Sequence, residues 1–552
     1  MDTMRNNPLF QLTLVAFTLL PTWAATAKNE FVPTLDVSYY SFQHKSVDED
    51  SRDSAYSVAP ALSFVHSGDV FRTSARVGID GVFYSDGSQS NEQLVSYSLD
   101  NSAKLLNDAM TVRLATNQSN SVQQVGGRAE RGRDQYNSPD MLSKQQSTQG
   151  SVNYSKVFNS ALSTNWNVSF LNSTAERPRG LIVGSLDSLP AADSLTNSVG
   201  SFSFDLNSRD RSRSFFWGVE GTGSKTSREF SEDIFNRAAN VIVGVPFFHN
   251  IQMVGQARIE RTSGFSDFNL SNFLYSVQNY RSVGGGLEWH FGRQSFWNIT
   301  YNTLTNGDSQ KAYIGTAFDI KPSRRTKLSG QLDRRFFGRS LNLSGEYNLQ
   351  KLRMKLTASD QVGSLLGLSG ADATTGLFVC PPGAVPSLDS CFQPPTANYV
   401  PQPGETYYNI RNPGSDYSEF GIVRRSVDYS LGYDFQRLKL QLQLGQRKDS
   451  YLERDATRNE KFGNLSASWA LQQHMDLVLS YAHSDSKSEG IAVSAENDYT
   501  GISNTWNLAL NRQLSRHLNS SLIVGRINND FASTLYQYEE SRIGMKVSYS
   551  FE

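Results

Sequence analysis

Charged side chains at alternate positions of three short stretches are the residues in this sequence with the clearest capacity for chemistry. They are Arg72, Arg76 and Asp80 in the first stretch; Lys327, Asp333 and Arg335 in the second; and Lys351, Arg353 and Lys355 in the third. Because side chains of a strand alternate between its two faces, each set shares one face. These faces predict either a mildly cationic polar surface that attracts anions or charges that pair only with one another and with water.

Motifs for catalysis are missing from the same sequence. The seven histidines show no metal-ligand spacing, and no nucleophile elbow, phosphate loop or zinc-protease helix occurs. The run Gly284 to Gly286 lies inside a strand pattern, where backbone bending explains it better than phosphate binding. We therefore expect no enzyme, no cofactor and no metal site. An omptin-like or phospholipase barrel stays open as an alternative, because such sites are assembled from wall and loop residues without a local motif.

The first 27 residues predict a secretory signal peptide. Arg5 supplies the positive charge, residues 9–20 form a short apolar run, and the small residues Ala25 and Ala27 bracket a cleavage site. The apolar run is shorter than the roughly 20 residues of a spanning helix. We expect residues 28–552 to form the mature chain in an oxidising compartment.

The two cysteines lie in a Pro, Gly and Ser rich stretch that we place at Gln361 to Ser418. In an exported protein, Cys380 and Cys391 are most economically explained by a disulfide that closes a small loop. A redox or metal role is less favoured because the spacing is not that of a C-x-x-C motif.

Composition narrows the class of protein further. The mean hydropathy is −0.44, 38% of residues are hydrophobic and 11% are aromatic. These values suit a membrane barrel, in which only alternate residues of short segments face lipid. The net charge of −1 argues against a nucleic-acid partner, which usually requires a strong basic excess.

Period-two alternation over the whole mature chain predicts the fold. Phe71, Val77 and Ile79 share one face of the stretch Val70 to Tyr84, and a repeat of two over so many residues excludes a helix. About 24 such strands, within a range of 22 to 26, follow in pairs with alternating short and long connections. The sequence predicts an all-β, transmembrane, antiparallel up-and-down barrel. A periplasmic propeller or sandwich is the alternative, although no blade-length repeat is evident.

The alternation of connections also predicts an orientation in the outer membrane of a Gram-negative bacterium. With both termini periplasmic, the first loop, Gln43 to Asp53, is extracellular, and so is the long loop Gln361 to Ser418. One connection breaks the rule, because Phe337 to Arg339 is a tight turn where a long outside loop is expected. The first strand pattern begins at Phe31, so we expect no plug domain ahead of the barrel.

The last strand, Ser541 to Phe551, resembles the C-terminal signal that outer-membrane barrels present to their assembly machinery. The matching residues are Arg542, Gly544, Val547, Tyr549 and Phe551. Partners implied by this prediction are outer-membrane lipid, lipopolysaccharide and the barrel-assembly machinery.

The segment from Phe31 to Gln118 resembles the outer-membrane β-barrel family associated with PEP-CTERM and exopolysaccharide systems. The resemblance rests on the mature N-terminus, the hairpin into the Arg-bearing strand Val70 to Tyr84, and the segment Tyr97 to Leu114. It implies a barrel that works with exopolysaccharide and its export components and offers no catalytic residues to transfer. We expect a porin-like or exopolysaccharide-secretion conduit; the alternatives are a surface-structural or adhesin barrel and a barrel sheath for an electron-transfer or export partner.

Overall fold

The computed structural model describes most of the chain from Lys28 to Phe551. The described ranges are 28–45, 50–85, 89–122, 134–159, 162–179, 193–208, 215–264, 279–291, 295–305, 312–364, 378–380, 406–408, 420–453, 455–490, 500–531 and 537–551. The expected signal peptide, 1–27, lies outside them, as does Cys391 and hence the proposed disulfide. Within these ranges, no helix has the length and hydrophobicity that a membrane span requires.

Strands account for almost all of the described residues. They are β1 Lys28–Lys45, β2 Asp50–Ser67, β3 Phe71–Tyr84, β4 Glu92–Leu105, β5 Met110–Val122, β6 Leu142–Val157, β7 Ser163–Glu176, β8 Ser194–Asn207, β9 Phe216–Arg228, β10 Ile234–Phe248, β11 Ile251–Ser263, β12 Asn279–His290 and β13 Phe296–Leu304. The second half holds β14 Ala312–Ser323, β15 Thr326–Arg335, β16 Gly338–Asn348, β17 Leu352–Ser364, β18 Phe378–Cys380, β19 Thr406–Tyr408, β20 Gly421–Asp434, β21 Leu438–Tyr451, β22 Thr457–Gln472, β23 Met475–Glu489, β24 Thr500–Gln513, β25 Leu518–Phe531 and β26 Tyr538–Ser550. Among the described residues, a 3-10 turn, Pro139–Met141, precedes β6.

Twenty-four of these strands form one closed antiparallel sheet. Each strand pairs with its chain neighbours, and β1 pairs with β2 on one side and with β26 on the other. The short strands β18 and β19 pair separately, inside the long connection between β17 and β20. The predicted all-β up-and-down barrel of about 24 strands is therefore confirmed.

Short connections gather at one end of the barrel and long ones at the other. The turn end carries both ends of the described chain and tight connections such as that between Phe248 and Ile251. The loop end carries the long connections, of which the longest runs from Ser364 to Gly421. The tight turn at Phe337 is confirmed as the exception at the loop end, and Gly338 adopts φ +106° there.

One face of the sheet is apolar and exposed all round the ring. Paired residues of neighbouring strands point to the same side of the sheet. Every strand therefore contributes side chains to this outer face. Its large hydrophobic residues include Val37, Val58, Val77, Val168, Val243, Ile259, Leu287, Ile299, Ile314, Leu465, Leu508 and Val524. The opposite face lines the lumen and consists mostly of hydroxyl, amide and charged side chains.

Several strands are longer at the loop end than the sequence pattern indicated. The predicted first loop, Gln43 to Asp53, is wrong in its bounds, because β1 runs to Lys45 and β2 begins at Asp50. Likewise, β17 extends to Ser364, into the stretch that we assigned to a loop from Gln361. Hydrogen bonds between strand backbones do not require an apolar face. Strand pairing therefore continues where both faces contact water and the alternation of hydrophobic and polar residues is lost.

The seam that closes the ring is packed around a glycine. Tyr40 of β1 lies opposite Gly544 of β26. The Tyr40 ring occupies the space that a Cβ atom on residue 544 would need. Tyr40 is buried together with Phe42, Ala55 and Val82 in an apolar cluster of the lumen wall. The absence of a side chain at Gly544 thus allows an aromatic ring to cover the seam.

Gly544→Ala is expected to lower the free energy of unfolding by about 1–3 kcal/mol, because the added methyl group overlaps the buried Tyr40 ring. The midpoint of urea unfolding in detergent micelles measures the change. Gly432→Ala is the matched control, since nothing lies within 4 Å of the position of its Cβ. Equal midpoints for the two variants would show that the seam does not depend on the glycine.

Candidate functional site

The lumen wall formed by β6 and β7 is uncharged and mostly polar. On β6 the inward row is a run of hydroxyl and amide side chains: Ser143, Gln145, Ser147, Gln149, Ser151, Asn153 and Ser155. They bond to inward residues of adjacent strands, as in Ser147 Oγ to Asn117 Oδ1 at 2.8 Å and Ser155 Oγ to Asn165 Oδ1 at 2.6 Å. This wall can exchange hydrogen bonds with water or with a hydroxylated solute.

A segment of the β5–β6 connection folds into the lumen. This inner segment, Asp134 to Met141, contacts inward-facing residues of β1, β2, β3 and β26. The Asp134 carboxylate accepts the backbone N–H of Tyr136 at 2.9 Å, and Asn137 Oδ1 accepts the N–H of Asp134 at 2.8 Å. These internal bonds give the segment a compact turn, so it narrows the lumen as a fixed body.

Tyr136 attaches the inner segment to the barrel wall. Its hydroxyl lies 3.1 Å from both Ser38 Oγ and Ser57 Oγ, and its ring packs on Tyr40 with centroids 4.5 Å apart. Burial raises the pKa of the Tyr136 phenol, so it stays protonated at neutral pH and can donate to one of the two serines. The Tyr84 hydroxyl also donates to the Gln135 carbonyl oxygen at 2.6 Å.

Arg542 holds the inner segment through charge. Its guanidinium forms an ion pair with Asp134 and lies 3.2 Å from the buried Glu540 carboxylate. Tyr538 donates to Glu540 and lies 2.7 Å from His44 Nδ1, which continues the network onto β1. Arg542, expected only as part of an assembly signal, therefore also has a structural role in the lumen.

At the loop end, two parts of the wall meet across the opening. Asn197 Nδ2 of β8 donates to Ser364 Oγ of β17 at 3.0 Å, with both residues fully buried. Arg228 of β9 forms an ion pair with Glu453 after β21 at 2.5 Å. We call this set of interactions the cross-barrel contact. The cross-barrel contact divides the ring of strands into two arcs. The short arc contains β11 to β16, and the longer arc contains the remaining strands.

An apolar cluster completes the cross-barrel contact. Ile234, Val423 and Leu452 are buried in it, and Phe337 and Val362 pack against them. The Arg335 guanidinium carbon lies 4.9 Å from the centre of the Phe337 ring. The tight turn that broke the pattern of long loops is therefore the element that brings Phe337 into this contact.

Charges fill the interior of the short arc. Arg258 pairs with Asp333 at 2.5 Å, and Arg335 pairs with Glu260 at 2.6 Å. Each pair joins β11 to β15, which are not neighbours in the ring, so the lumen between them is occupied by side chains. Carboxylates and guanidinium groups at this burial neutralise one another and are not free to bind a solute.

All nine charged residues expected in the lumen lie on the inward register, but they fall into three groups. Arg72, Arg76 and Asp80 lie on β3, where Asp80 accepts a bond from Gln135 of the inner segment and Arg76 bonds Ser63. Asp333 and Arg335 belong to the buried pairs just described. The third group is exposed to the lumen near the turn end: Lys327, Lys351, Arg353 and Lys355.

Sequence patterns missed the inner segment and the cross-barrel contact. Asp134 and Tyr136 lie in a polar connection with no periodicity, and Arg228 and Glu453 are far apart in the chain. Their roles come from contacts between distant segments, for which a single sequence carries no signal. Among the described residues, no group of three or more His, Cys, Asp and Glu side chains could hold a metal ion.

The closed ring, apolar outside and polar inside, defines the chain as a β-barrel of the membrane-spanning type. No protein-family model matches it, and no curated protein matches it. Solved structures to which the chain shows a distant similarity include the siderophore receptor PirA from Acinetobacter baumannii, at 11% identity and TM-score 0.39, covering 95% of this chain and 81% of that one. Another is the FrpB iron transporter from Neisseria meningitidis (F5-1 variant), at 9% identity and TM-score 0.41, covering 94% and 82%. At such values the likeness carries no argument about this chain.

Glu453→Gln is expected to lower the free energy of unfolding by about 2–3 kcal/mol, because it removes a charged hydrogen-bond acceptor from the buried Arg228 guanidinium. Chemical denaturation in detergent measures it. Glu176→Gln is the matched control, since its pair with Lys144 is exposed and contributes less than about 1 kcal/mol. Similar losses in both variants would show that the cross-barrel contact is not a stabilising interaction.

Proposed function

We propose that this chain is an outer-membrane β-barrel that acts as a porin-like or exopolysaccharide-secretion conduit. The observation that carries the proposal is the closed 24-stranded ring whose outer face is apolar and whose inner face is polar. A soluble barrel has no reason to expose so many large hydrophobic side chains around its whole circumference. A ring without edges also satisfies its backbone hydrogen bonds within the lipid.

An aromatic girdle at the turn end supports insertion in a bilayer. Its outward-facing members include Phe158, Trp166, Trp289, Trp297, Phe435, Trp469 and Tyr549. Aromatic side chains favour the boundary between lipid and water, where they flank the apolar band of membrane barrels. The girdle therefore supports a membrane interface next to the short turns, which we assign to the periplasmic side together with both termini.

The uncharged polar wall of β6 and β7 supports passage of a hydrophilic polymer. Hydroxyl and amide groups exchange hydrogen bonds with sugars and water at similar cost, so a polysaccharide can move along them without being trapped. Twenty-four strands also enclose a wider lumen than those of 16- to 18-stranded porins. The inner segment and the cross-barrel contact narrow this lumen and set how much of it is open.

The first experiment is single-channel recording of the refolded mature chain in a planar bilayer. Large conductance steps that are interrupted by an added polysaccharide fragment are the expected result. A folded, heat-modifiable barrel that conducts no current in any recording would contradict the proposal.

Leu479→Arg is expected to destabilise the inserted barrel by about 2–4 kcal/mol, because it places a cation in the apolar lipid-facing row of β23, between Leu477 and Tyr481. Unfolding in lipid vesicles measures the loss. The neighbouring variant, Ser480→Arg, puts the same side chain into the wet lumen and is expected to cost less than about 1 kcal/mol. If both variants lose the same stability, the apolar face is not in contact with lipid.

Asp134→Asn is expected to increase single-channel conductance, because it removes the charge that ties the inner segment to Arg542. The matched control is Asp140→Asn, which removes a charge from an exposed position of the same segment. Unchanged conductance in Asp134→Asn would mean that the inner segment does not limit the opening.

A further inference from the structure

Basic side chains are concentrated on the lumen wall at the turn end of β15, β17 and β21. The inward-facing members are Lys327, Lys351, Arg353, Lys355 and Lys439, and we call them the basic cluster. We propose that the basic cluster is a binding site for an acidic polysaccharide, which it receives at the turn-end mouth of the barrel. The inference rests on the proposed conduit function and names its substrate class.

The cations of the basic cluster are available to a ligand. All five residues are exposed, and the described ion pairs of the chain include none of them. Elsewhere in the lumen, charges of comparable number are neutralised, as in the buried pair of Arg424 with Asp449 at 2.8 Å. An excess of exposed positive charge in a concave wall raises the local concentration of anions.

The carboxylates that face the basic cluster are too few to neutralise it. Glu346 lies between Lys327 and Lys355 in the strand register, and Asp434 lies opposite Lys439. Asp476 on β23 is close enough to Lys439 to interact electrostatically with it. Asp428 on β20 shares the inward parity and lies beside the row of Lys355. Arg324, Arg325 and Arg437 in the adjoining turns add to the five cations of the cluster, so eight cations stand against four carboxylates.

The direction of the side chains decides against lipid headgroups as the ligand. Lys351, Arg353 and Lys355 share the lumen parity of Asp333 and Ser340, whereas the intervening Leu352, Met354 and Leu356 face outward. Basic residues that bind lipid phosphates would occupy the outer face at the aromatic girdle. The cluster therefore contacts what enters the lumen.

The spacing of the cluster favours a linear polyanion. Lys351, Arg353 and Lys355 follow one strand at every second position, which separates successive charges by about 6.6 Å along the wall. Lys327 and Lys439 widen the site across neighbouring strands. A chain with regularly repeated carboxylates can contact several of these cations at once, whereas a single small anion contacts one or two. A row that leads inward along the wall also suits a threading chain better than a folded acidic protein.

Binding is tested without relying on conductance. The probe is a fluorescein-labelled oligogalacturonate, and its anisotropy is titrated with the refolded full barrel in zwitterionic micelles at about 0.1 M salt. The triple variant Lys351→Gln, Arg353→Gln, Lys355→Gln is expected to weaken binding at least about tenfold, and added salt is expected to weaken binding to the unaltered barrel.

Two matched variants isolate the position of the charges from their number. Lys448→Gln, Lys461→Gln, Lys487→Gln removes the same net charge from outward-facing positions at the loop end and is expected to leave binding unchanged. Lys351→Arg, Arg353→Lys, Lys355→Arg keeps the charge of the cluster and is expected to retain binding. Heat-modifiable mobility of each variant shows that it is folded.

The outcomes separate this inference from the proposed function. Equal binding to the triple variant and its loop-end control overturns the basic cluster as the site, even if the barrel conducts. Binding of labelled oligoglutamate but not oligogalacturonate also overturns it, in favour of an acidic protein partner. Position-dependent binding of oligogalacturonate by a barrel that never conducts supports the cluster and contradicts only the conduit.

Discussion

The hydrogen-bonded seam between β1 and β26 is the interaction on which the rest of the structure depends. Without it the sheet has two open edges, and unpaired backbone groups cannot enter hydrocarbon. The seam also fixes the parity of every strand, because a shift of one residue would exchange the apolar and polar faces. Tyr40 over Gly544 and the Arg542 network lie at this seam, so the closure of the ring and the attachment of the inner segment use the same residues.

The large size of the ring determines how its lumen is filled. A 24-stranded barrel encloses more space than its inward side chains can fill, and this chain fills part of it with the inner segment and part with the cross-barrel contact. Charges in those parts are paired and buried, as in Arg228 with Glu453. The charges left exposed, such as Arg353, therefore stand out as those available for a solute.

Amphipathic alternation made the architecture predictable. The period of two in β3 and β26, the alternation of short and long connections, and the approximate strand count were all readable, because each reflects local backbone geometry. The inward register of all nine charged residues, from Arg72 to Lys355, was readable for the same reason. Strand ends near Lys45 and Ser364 were not, since hydrophobic alternation stops at the membrane boundary while backbone pairing continues.

The sequence by itself therefore determined the barrel, its inner and outer faces and its two different ends, because the alternation of side chains is a property of each strand alone. Only the tertiary structure decided which charges are neutralised and which are free. Lys351 and Arg335 are equivalent in the sequence pattern, yet one is exposed to the lumen and the other pairs with Glu260 on a strand that is not its neighbour. Such pairings depend on how the closed ring brings distant strands together.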